Sequence, residues 1–134
     1  MENCIFCRIA NKEIPCKKVY EDANTIVFMD VAADVDGHML AIPKKHVKNL
    51  LDCDADTLHS LMDTVQKVAV HCVENGGYDG INFLNASDES AGQSVPHFHI
   101  HLIPRKEKDG IDAWPRFQGA QNAPDAVYKI LAMD

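Results

Sequence analysis

The chain has 134 residues, a hydrophobic fraction of 46%, a charged fraction of 25% and a formal net charge of −7. This length suits one domain with its own core and is too short for two ordinary domains. The negative charge argues against a nucleic-acid partner, which requires a basic face, but does not exclude a single nucleotide. The sequence shows neither a membrane span nor a signal peptide, so we expect a cytoplasmic protein that does not bind membranes.

Short periodic segments separated by turn residues make up the first third of the chain. Residues 4–11 have apolar side chains at helical spacing and predict a short helix that ends at Asn11. Residues 17–21, 25–30 and 38–42 are β-branched or apolar runs that predict three strands. Pro43 is expected to end the third strand, because proline cannot donate a backbone hydrogen bond.

One long helix is predicted from Asp54, its expected N-cap, to about Asn75. Apolar residues recur at intervals of three and four along it, so it needs a sheet face to pack against. Two further strands are predicted, at residues 80–85 and in the histidine-rich stretch near residue 100, before a short helix at Pro124. We therefore predict an α+β domain over residues 1–134, with a largely antiparallel five-stranded sheet, one long helix, short terminal helices and a C-terminal tail from 111 to 134.

Three of the seven histidines, His97, His99 and His101, lie two residues apart. Because alternate side chains of a strand share a face, this spacing predicts a row of imidazoles opposite a row of apolar side chains. Imidazoles are unusual on a purely solvated face, so the row indicates a site. Two chemistries are compatible with it, namely a zinc or copper site and a set of acid, base and nucleophile.

The five cysteines are odd in number and scattered, which argues against a disulfide framework. Cys4 and Cys7 form a C-x-x-C pair, but a thioredoxin-like redox site needs a preceding strand, for which three residues leave no room. Zinc prefers four Cys and His ligands, and His46 is a good third candidate. The alternative is that the pair are two reduced thiols of the core.

The stretch from His97 to Ile103 has the pattern His-φ-His-φ-His-φ-φ, in which φ is apolar. The sequence Gly-Gln-Ser-Val at 92–95 precedes it, and Asp30 and Ile-Pro-Lys-Lys-His at 42–46 lie upstream. In this order, these segments resemble the histidine triad family over about residues 4–104, in particular its small nucleotide-binding hydrolases and phosphoramidases. Pro96 departs from the family pattern, where a bulky or aromatic residue is common, and should mark the start of the strand.

The resemblance implies an enzyme that releases a purine nucleoside monophosphate from an amine, phosphate or other group on its phosphorus, without an organic cofactor. His99 would attack the phosphorus and form a nucleotidyl-imidazole that water then cleaves. A neutral imidazole is a good nucleophile near pH 7. His97 and His101 would orient the phosphate and assist proton transfer, His38 would support them from a neighbouring strand, and Ser94 could protonate a departing amine.

The resemblance also implies binding positions, a metal site and a homodimer. Asp30 would accept hydrogen bonds from the ribose hydroxyls. The predicted apolar slot for the base consists of Phe6, Ile9, Phe28, Val31 and Leu40. The predicted phosphate contacts are Asn85, Gly92, Gln93, Ser94 and Val95. The predicted ligands of a structural zinc ion are Cys4, Cys7, His46 and His97.

Three other functions remain open at this point. A dinucleoside polyphosphate hydrolase would use the same triad but would need room for a second nucleotide. A nucleotide-binding adaptor would keep the pocket with vestigial catalysis. A catalytic metal on the triad itself would make the activity sensitive to chelators.

Overall fold

The computed structural model describes residues 3–32 and 34–133, so residues 1, 2, 33 and 134 of the predicted domain lie outside the described part. Helix α1 (Ile5–Ala10) precedes strands β1 (Lys18–Glu21), β2 (Thr25–Met29) and β3 (Met39–Pro43). The long helix α2 (Ala55–Glu74) separates them from strands β4 (Gly80–Leu84) and β5 (Ile100–Arg105), and helix α3 (Pro124–Leu131) comes last. Short 3-10 turns lie at Leu50–Asp52 and Glu89–Ala91.

The five strands form one antiparallel sheet in the order β1-β2-β3-β5-β4. Strand β5 therefore lies between β3 and β4, and His101 is flanked by Leu40 on one side and Leu84 on the other. The predicted α+β architecture, with an antiparallel sheet and one long helix, is confirmed. Asp54 caps α2 as expected, since its carboxylate accepts from the Thr57 backbone N–H at 3.1 Å.

Both faces of the sheet are covered. Helix α2 packs Leu61, Val65 and Val68 against one face, where Phe98 and Leu102 belong to the same buried cluster. Helix α1 covers the other face with a second buried cluster. That second cluster contains Phe6, Ile9, Phe28, Leu40 and Ile42. Strands β2 and β3 are almost wholly buried as a result, as strands covered on both sides should be.

The histidine stretch departs from the predicted strand at its beginning. Strand β5 starts only at Ile100, so His97 and His99 lie in irregular backbone before it. The reason is a tight turn centred on Pro96, closed by a 2.8 Å bond from the His97 N–H to the Val95 carbonyl. The Phe98 N–H then bonds to Val47 rather than to a neighbouring strand. The alternation of faces nevertheless holds, because Phe6 packs edge-on against both His97 and His99 while Phe98 lies in the same cluster as Ile100 and Leu102.

Pro43 is a second departure, because it is the last residue of β3 and not the residue that follows it. It stands beside Thr25 of β2, where its missing N–H costs the ladder little because the strand ends there. Its carbonyl oxygen remains available, and it accepts from the ring of His97 at 2.8 Å. Among the described residues, no helix has the length and apolar character needed to cross a membrane.

Candidate functional site

The backbone holds His99 in a single tautomer. Its Nδ1 lies 2.7 Å from the carbonyl oxygen of His97, which can only accept, so Nδ1 carries the proton of the neutral ring. The Nε2 atom is then left with a free lone pair. Phe6 packs edge-on against the ring at 5.2 Å between centroids, and Asn85 Nδ2 donates to the His99 carbonyl at 2.8 Å. These contacts fix the orientation of the His99 ring and leave Nε2 as its unprotonated nitrogen.

His101 lies beside His99, with 5.0 Å between the ring centroids. Its Nδ1 is 2.8 Å from Nε2 of His38, so the two rings share a proton. Burial lowers the pKa of His101 to about 4, with the neighbouring His99 and His38 adding to the shift. His101 is therefore neutral at pH 7 and able to accept a proton.

These rings open onto a cavity of about 620 Å³, which is large enough for a small ligand. Its lining includes seven of the predicted residues, namely His38, Asn85, Gly92, Gln93, Ser94, His99 and His101. Ile111, Asp112, Ala113 and Pro115 of the tail line it as well. Sequence reasoning missed this part of the tail, because it has no periodicity. An Arg105 side chain that donates to both Asp109 and the Ile111 carbonyl holds it in place.

A second cavity of about 660 Å³ adjoins the first and shares His38 and Val35 with it. Asp30 lies in its wall, with Oδ1 accepting from the Ala32 N–H at 2.9 Å and Oδ2 at 3.6 Å from Nε2 of His38. Val31 lines the same cavity and is 98% exposed. This cavity therefore has a carboxylate and an apolar side chain in its wall, next to His38.

The other four predicted base contacts occupy a different position. Phe6, Ile9, Phe28 and Leu40 are all buried in the cluster beneath α1. They support the sheet there, and direct contact with a base stays a prediction for them.

The Gln93 side chain organises the loop in front of His99. Its Nε2 donates to the carbonyls of Lys48 at 2.7 Å and Val95 at 2.9 Å. Its Oε1 accepts from the Asp88 N–H at 2.8 Å and from Asn49 Nδ2 at 3.2 Å. Both donors and both acceptor sites of the amide are used, so Gln93 can contact a phosphate only through its backbone.

Gly37 places His38. It has φ +79°, and a Cβ there would lie 3.0 Å from Cγ of Pro104. Gly37→Ala should lower the free energy of unfolding by about 1–3 kcal/mol, because alanine is strained at this φ. It should also reduce the hydrolase activity that the sequence predicts, because the backbone next to His38 shifts. Gly77→Ala is the matched control, since Gly77 has φ +78° but no atom within 4 Å of its Cβ position. Urea unfolding should show a loss in both variants, whereas turnover should fall only in Gly37→Ala.

Four donor atoms converge between α1, β3 and the turn before β5. Sγ of Cys4 and Nδ1 of His97 are 3.2 Å apart, Sγ of Cys7 and Nδ1 of His46 are 3.3 Å apart, and the two Nδ1 atoms are 3.2 Å apart. Tetrahedral zinc separates such ligand atoms by about 3.3–3.8 Å. The donor set and its dimensions therefore fit a metal ion, and these residues could hold one.

His97 belongs to this cluster of donors and not to the cavity. Its side chain is fully buried, Nε2 donates to the Pro43 carbonyl, and the unprotonated Nδ1 faces the two sulfur atoms. A catalytic role in orienting the phosphate does not fit this position. Its contact with His99 is through the backbone, because the His97 carbonyl accepts the hydrogen bond from Nδ1 of His99.

Burial of histidines also predicts how stability depends on pH. The pKa of His101 is about 4 in the folded protein, against about 6.5 in the unfolded chain, because burial disfavours the charged ring. Between these values the unfolded chain binds more protons, so stability is complete above pH 6.5 and declines as the pH falls toward 4. Urea unfolding should give a smaller free energy at pH 5 than at pH 7. His101→Asn should reduce that difference, and an unchanged difference would contradict the assignment.

The comparisons with known proteins identify the class. The HIT domain profile matches residues 11–108, and the chain belongs to the HIT domain family. "Protein hit" of Bacillus subtilis is 42% identical over 139 residues, which cover 98% of this chain and 96% of that protein. "Adenosine 5'-monophosphoramidase hnt1" of Schizosaccharomyces pombe is 33% identical over 117 residues, covering 86% and 85% of the two chains. A crystal structure of a Zn-bound histidine triad family protein from Mycobacterium smegmatis superposes with a TM-score of 0.77 at 30% identity, covering 84% of this chain and 81% of that one.

Proposed function

We propose that the protein is a nucleotidyl hydrolase that cleaves purine nucleoside 5'-phosphoramidates or related nucleoside monophosphate conjugates. The observation that carries this proposal is the free Nε2 of His99, which the hydrogen bond from Nδ1 to a backbone carbonyl leaves unprotonated in a ring that lines a cavity. The phosphoramidase name of the fission yeast relative supports the substrate class. The adjoining cavity with Asp30 supports a nucleoside as the bound part.

In the first step, the Nε2 lone pair of His99 attacks phosphorus, and the bond from phosphorus to the leaving nitrogen breaks. The electron pair of that bond goes to the leaving nitrogen, which takes a proton from the hydroxyl of Ser94. Ser94 is exposed, so it can recover a proton from water at the same time. Backbone N–H groups of the 92–95 loop are the donors available to the developing charge on the phosphoryl oxygens.

In the second step, water attacks the nucleotidyl-histidine. The bond between phosphorus and Nε2 breaks, its electron pair returns to the imidazole of His99, and the nucleoside monophosphate is released. The proton of the attacking water goes to His101, which is neutral and lies next to His99.

Release of AMP from adenosine 5'-phosphoramidate tests the function directly. Turnover of diadenosine polyphosphates at a higher kcat/KM would favour a dinucleoside polyphosphate hydrolase instead. Tight binding of AMP without turnover of either substrate would favour an adaptor. Loss of activity within seconds of adding a chelator, before any unfolding, would point to a catalytic metal on the triad.

Ser94 is tested by changing the leaving group. Ser94→Ala should lower kcat for an alkylamine phosphoramidate by roughly 10- to 100-fold, because a poor leaving group needs a proton. The same variant should hydrolyse a nitrophenyl ester of AMP at close to the wild-type rate, because nitrophenolate leaves without one. An equal loss on both substrates would contradict a proton-donating role.

We propose that Cys4, Cys7, His46 and His97 bind zinc. Four protein ligands complete a tetrahedral shell, so the ion would be structural and would tie α1 to the sheet. The Zn-bound relative supports this choice of metal. Burial raises the pKa of the Cys7 thiol, and a bound cation would supply the charge that favours the thiolate. The homodimer implied by the family stays a prediction, which sedimentation velocity can test.

A further inference from the structure

Asp34 contacts the histidine cluster but belongs to none of the sequence motifs that indicate the site. Its Oδ1 lies 2.7 Å from Nδ1 of His38. The same oxygen accepts from the backbone N–H of Val35 at 2.9 Å, which fixes the carboxylate in the loop before β3. His38 is buried, and its other nitrogen is 2.8 Å from His101. A carboxylate and two imidazoles are thus joined in one chain that ends at the cavity.

The direction of the hydrogen bonds along this chain follows from its first member. An ionised carboxylate can only accept, so Nδ1 of His38 carries the proton of that ring. In neutral His38, Nε2 is then an acceptor, and it takes the bond from the Nδ1–H of His101. The lone pair of His101 is left on Nε2. Asp34 contacts only His38, but through it Asp34 sets the tautomers of both His38 and His101.

Asp30 is the other carboxylate near His38, and the geometry excludes it from this role. Its Oδ2 lies 3.6 Å from Nε2 of His38, which is too long for a hydrogen bond. It also faces the nitrogen that already accepts from His101. Asp34 alone, among the described residues, gives His38 an acceptor at Nδ1.

We propose that Asp34 is a positioning residue, which acts through His38 to prepare His101 for the proton of the attacking water. This inference rests on the proposed hydrolase function. As water attacks phosphorus and the bond to His99 breaks, the proton moves to Nε2 of His101, and the new imidazolium shares its Nδ1–H with His38. The carboxylate stabilises this positive charge through the intervening ring, and His101 later returns the proton to solvent. In a Ser-His-Asp triad, an aspartate likewise orients an imidazole and stabilises its charged form.

The test compares Asp34→Ala with wild type and with Asp63→Ala, an exposed carboxylate on α2. Asp34→Ala should lower kcat on adenosine 5'-phosphoramidate by roughly 10- to 100-fold. The change in KM should be smaller, because the main loss is in proton transfer, although Asp34 also lies in the cavity wall. The Asp34 side chain is 56% exposed, so water screens part of its charge and limits the effect. Asp34→Glu keeps a carboxylate and should recover part of kcat. Asp63→Ala should match wild type.

A second measurement does not depend on turnover. Long-range ¹⁵N–¹H spectra of the imidazoles should show His38 protonated at Nδ1 in the wild type and a mixture of tautomers in Asp34→Ala. An unchanged His38 tautomer, or a wild-type kcat in Asp34→Ala, would overturn the proposal. If the wild type turns over no nucleotide conjugate, the hydrolase function is wrong, and with it the part of Asp34 in catalysis. The spectra would then still decide whether Asp34 positions His38.

Discussion

Replacing His99 by alanine should lower turnover of adenosine 5'-phosphoramidate by roughly 10⁴-fold or more, because it removes the atom that forms the covalent bond. Among the other imidazoles of the described site, only His101 has a free lone pair on Nε2, and the proposed mechanism uses that lone pair to accept the proton of water. Nε2 of His38 already accepts a proton from His101, and both nitrogens of His97 are engaged away from the cavity. Steady-state release of AMP measures the loss.

The covalent intermediate gives an independent measurement of the same role. Acid quenching of wild-type protein during turnover should leave a fraction of chains heavier by one nucleotidyl group, and peptide mapping should place that group on His99. His99→Ala should carry none. His59→Ala is the matched control, because His59 is an exposed histidine on α2, and it should retain both turnover and labelling. Full activity in His99→Ala, or a label on His101, would refute the assignment.

The sequence predicted these catalytic roles because their signals are local. The alternating run of histidines indicated His97, His99 and His101 as equivalent candidates. The resemblance to the histidine triad family then implied separate roles for His99, His101 and His38. Sheet pairing then brings β3 beside β5, as any antiparallel arrangement of these strands would permit. The fold class followed equally well from short strands on either side of one long amphipathic helix.

What the sequence could not show depends on contacts between distant segments. Asp34 reaches His38 through the course of a loop, and an aspartate in a loop is by itself an ordinary turn residue. The bonds from Asn85 to the His99 carbonyl and from Gln93 to the Lys48 carbonyl likewise join distant segments, and the sequence did not predict them. Whether an apolar residue such as Phe28 lines a binding slot or belongs to the core likewise depends on which other element of the fold covers it, and here that element is α1.

His97 shows what periodicity alone leaves open. Its ring lies on the same face as that of His99, where Phe6 contacts both, but the tight turn at Pro96 places it in the cluster with Cys4 and Cys7. The same residue thereby joins two parts of the molecule. Its ring is one of the candidate metal ligands, and its carbonyl is the acceptor that fixes the tautomer of His99.

This dual contact leads to the second large effect. Cys4→Ser combined with Cys7→Ser should abolish stoichiometric metal binding and lower the melting temperature by about 10–20 °C, because the energy of a structural metal site is energy of folding. The double variant should also turn over substrate more slowly at temperatures where it is still folded. In this variant the ring of His97 loses its contacts with the sulfur atoms of Cys4 and Cys7 as well as the metal, so the carbonyl that orients His99 is held less firmly. Metal content by mass spectrometry, calorimetry and AMP release give the three readouts.

Cys53→Ser is the matched control, because Cys53 precedes α2 and lies outside the donor cluster. It should keep the metal, the melting temperature and the turnover of the wild type. If the double cysteine variant loses the metal but keeps wild-type turnover below its melting temperature, the carbonyl of His97 is positioned by its own turn and not by the metal. If wild-type protein purified without chelators contains no metal, the four residues form a buried network of thiols and imidazoles, and the zinc proposal is wrong.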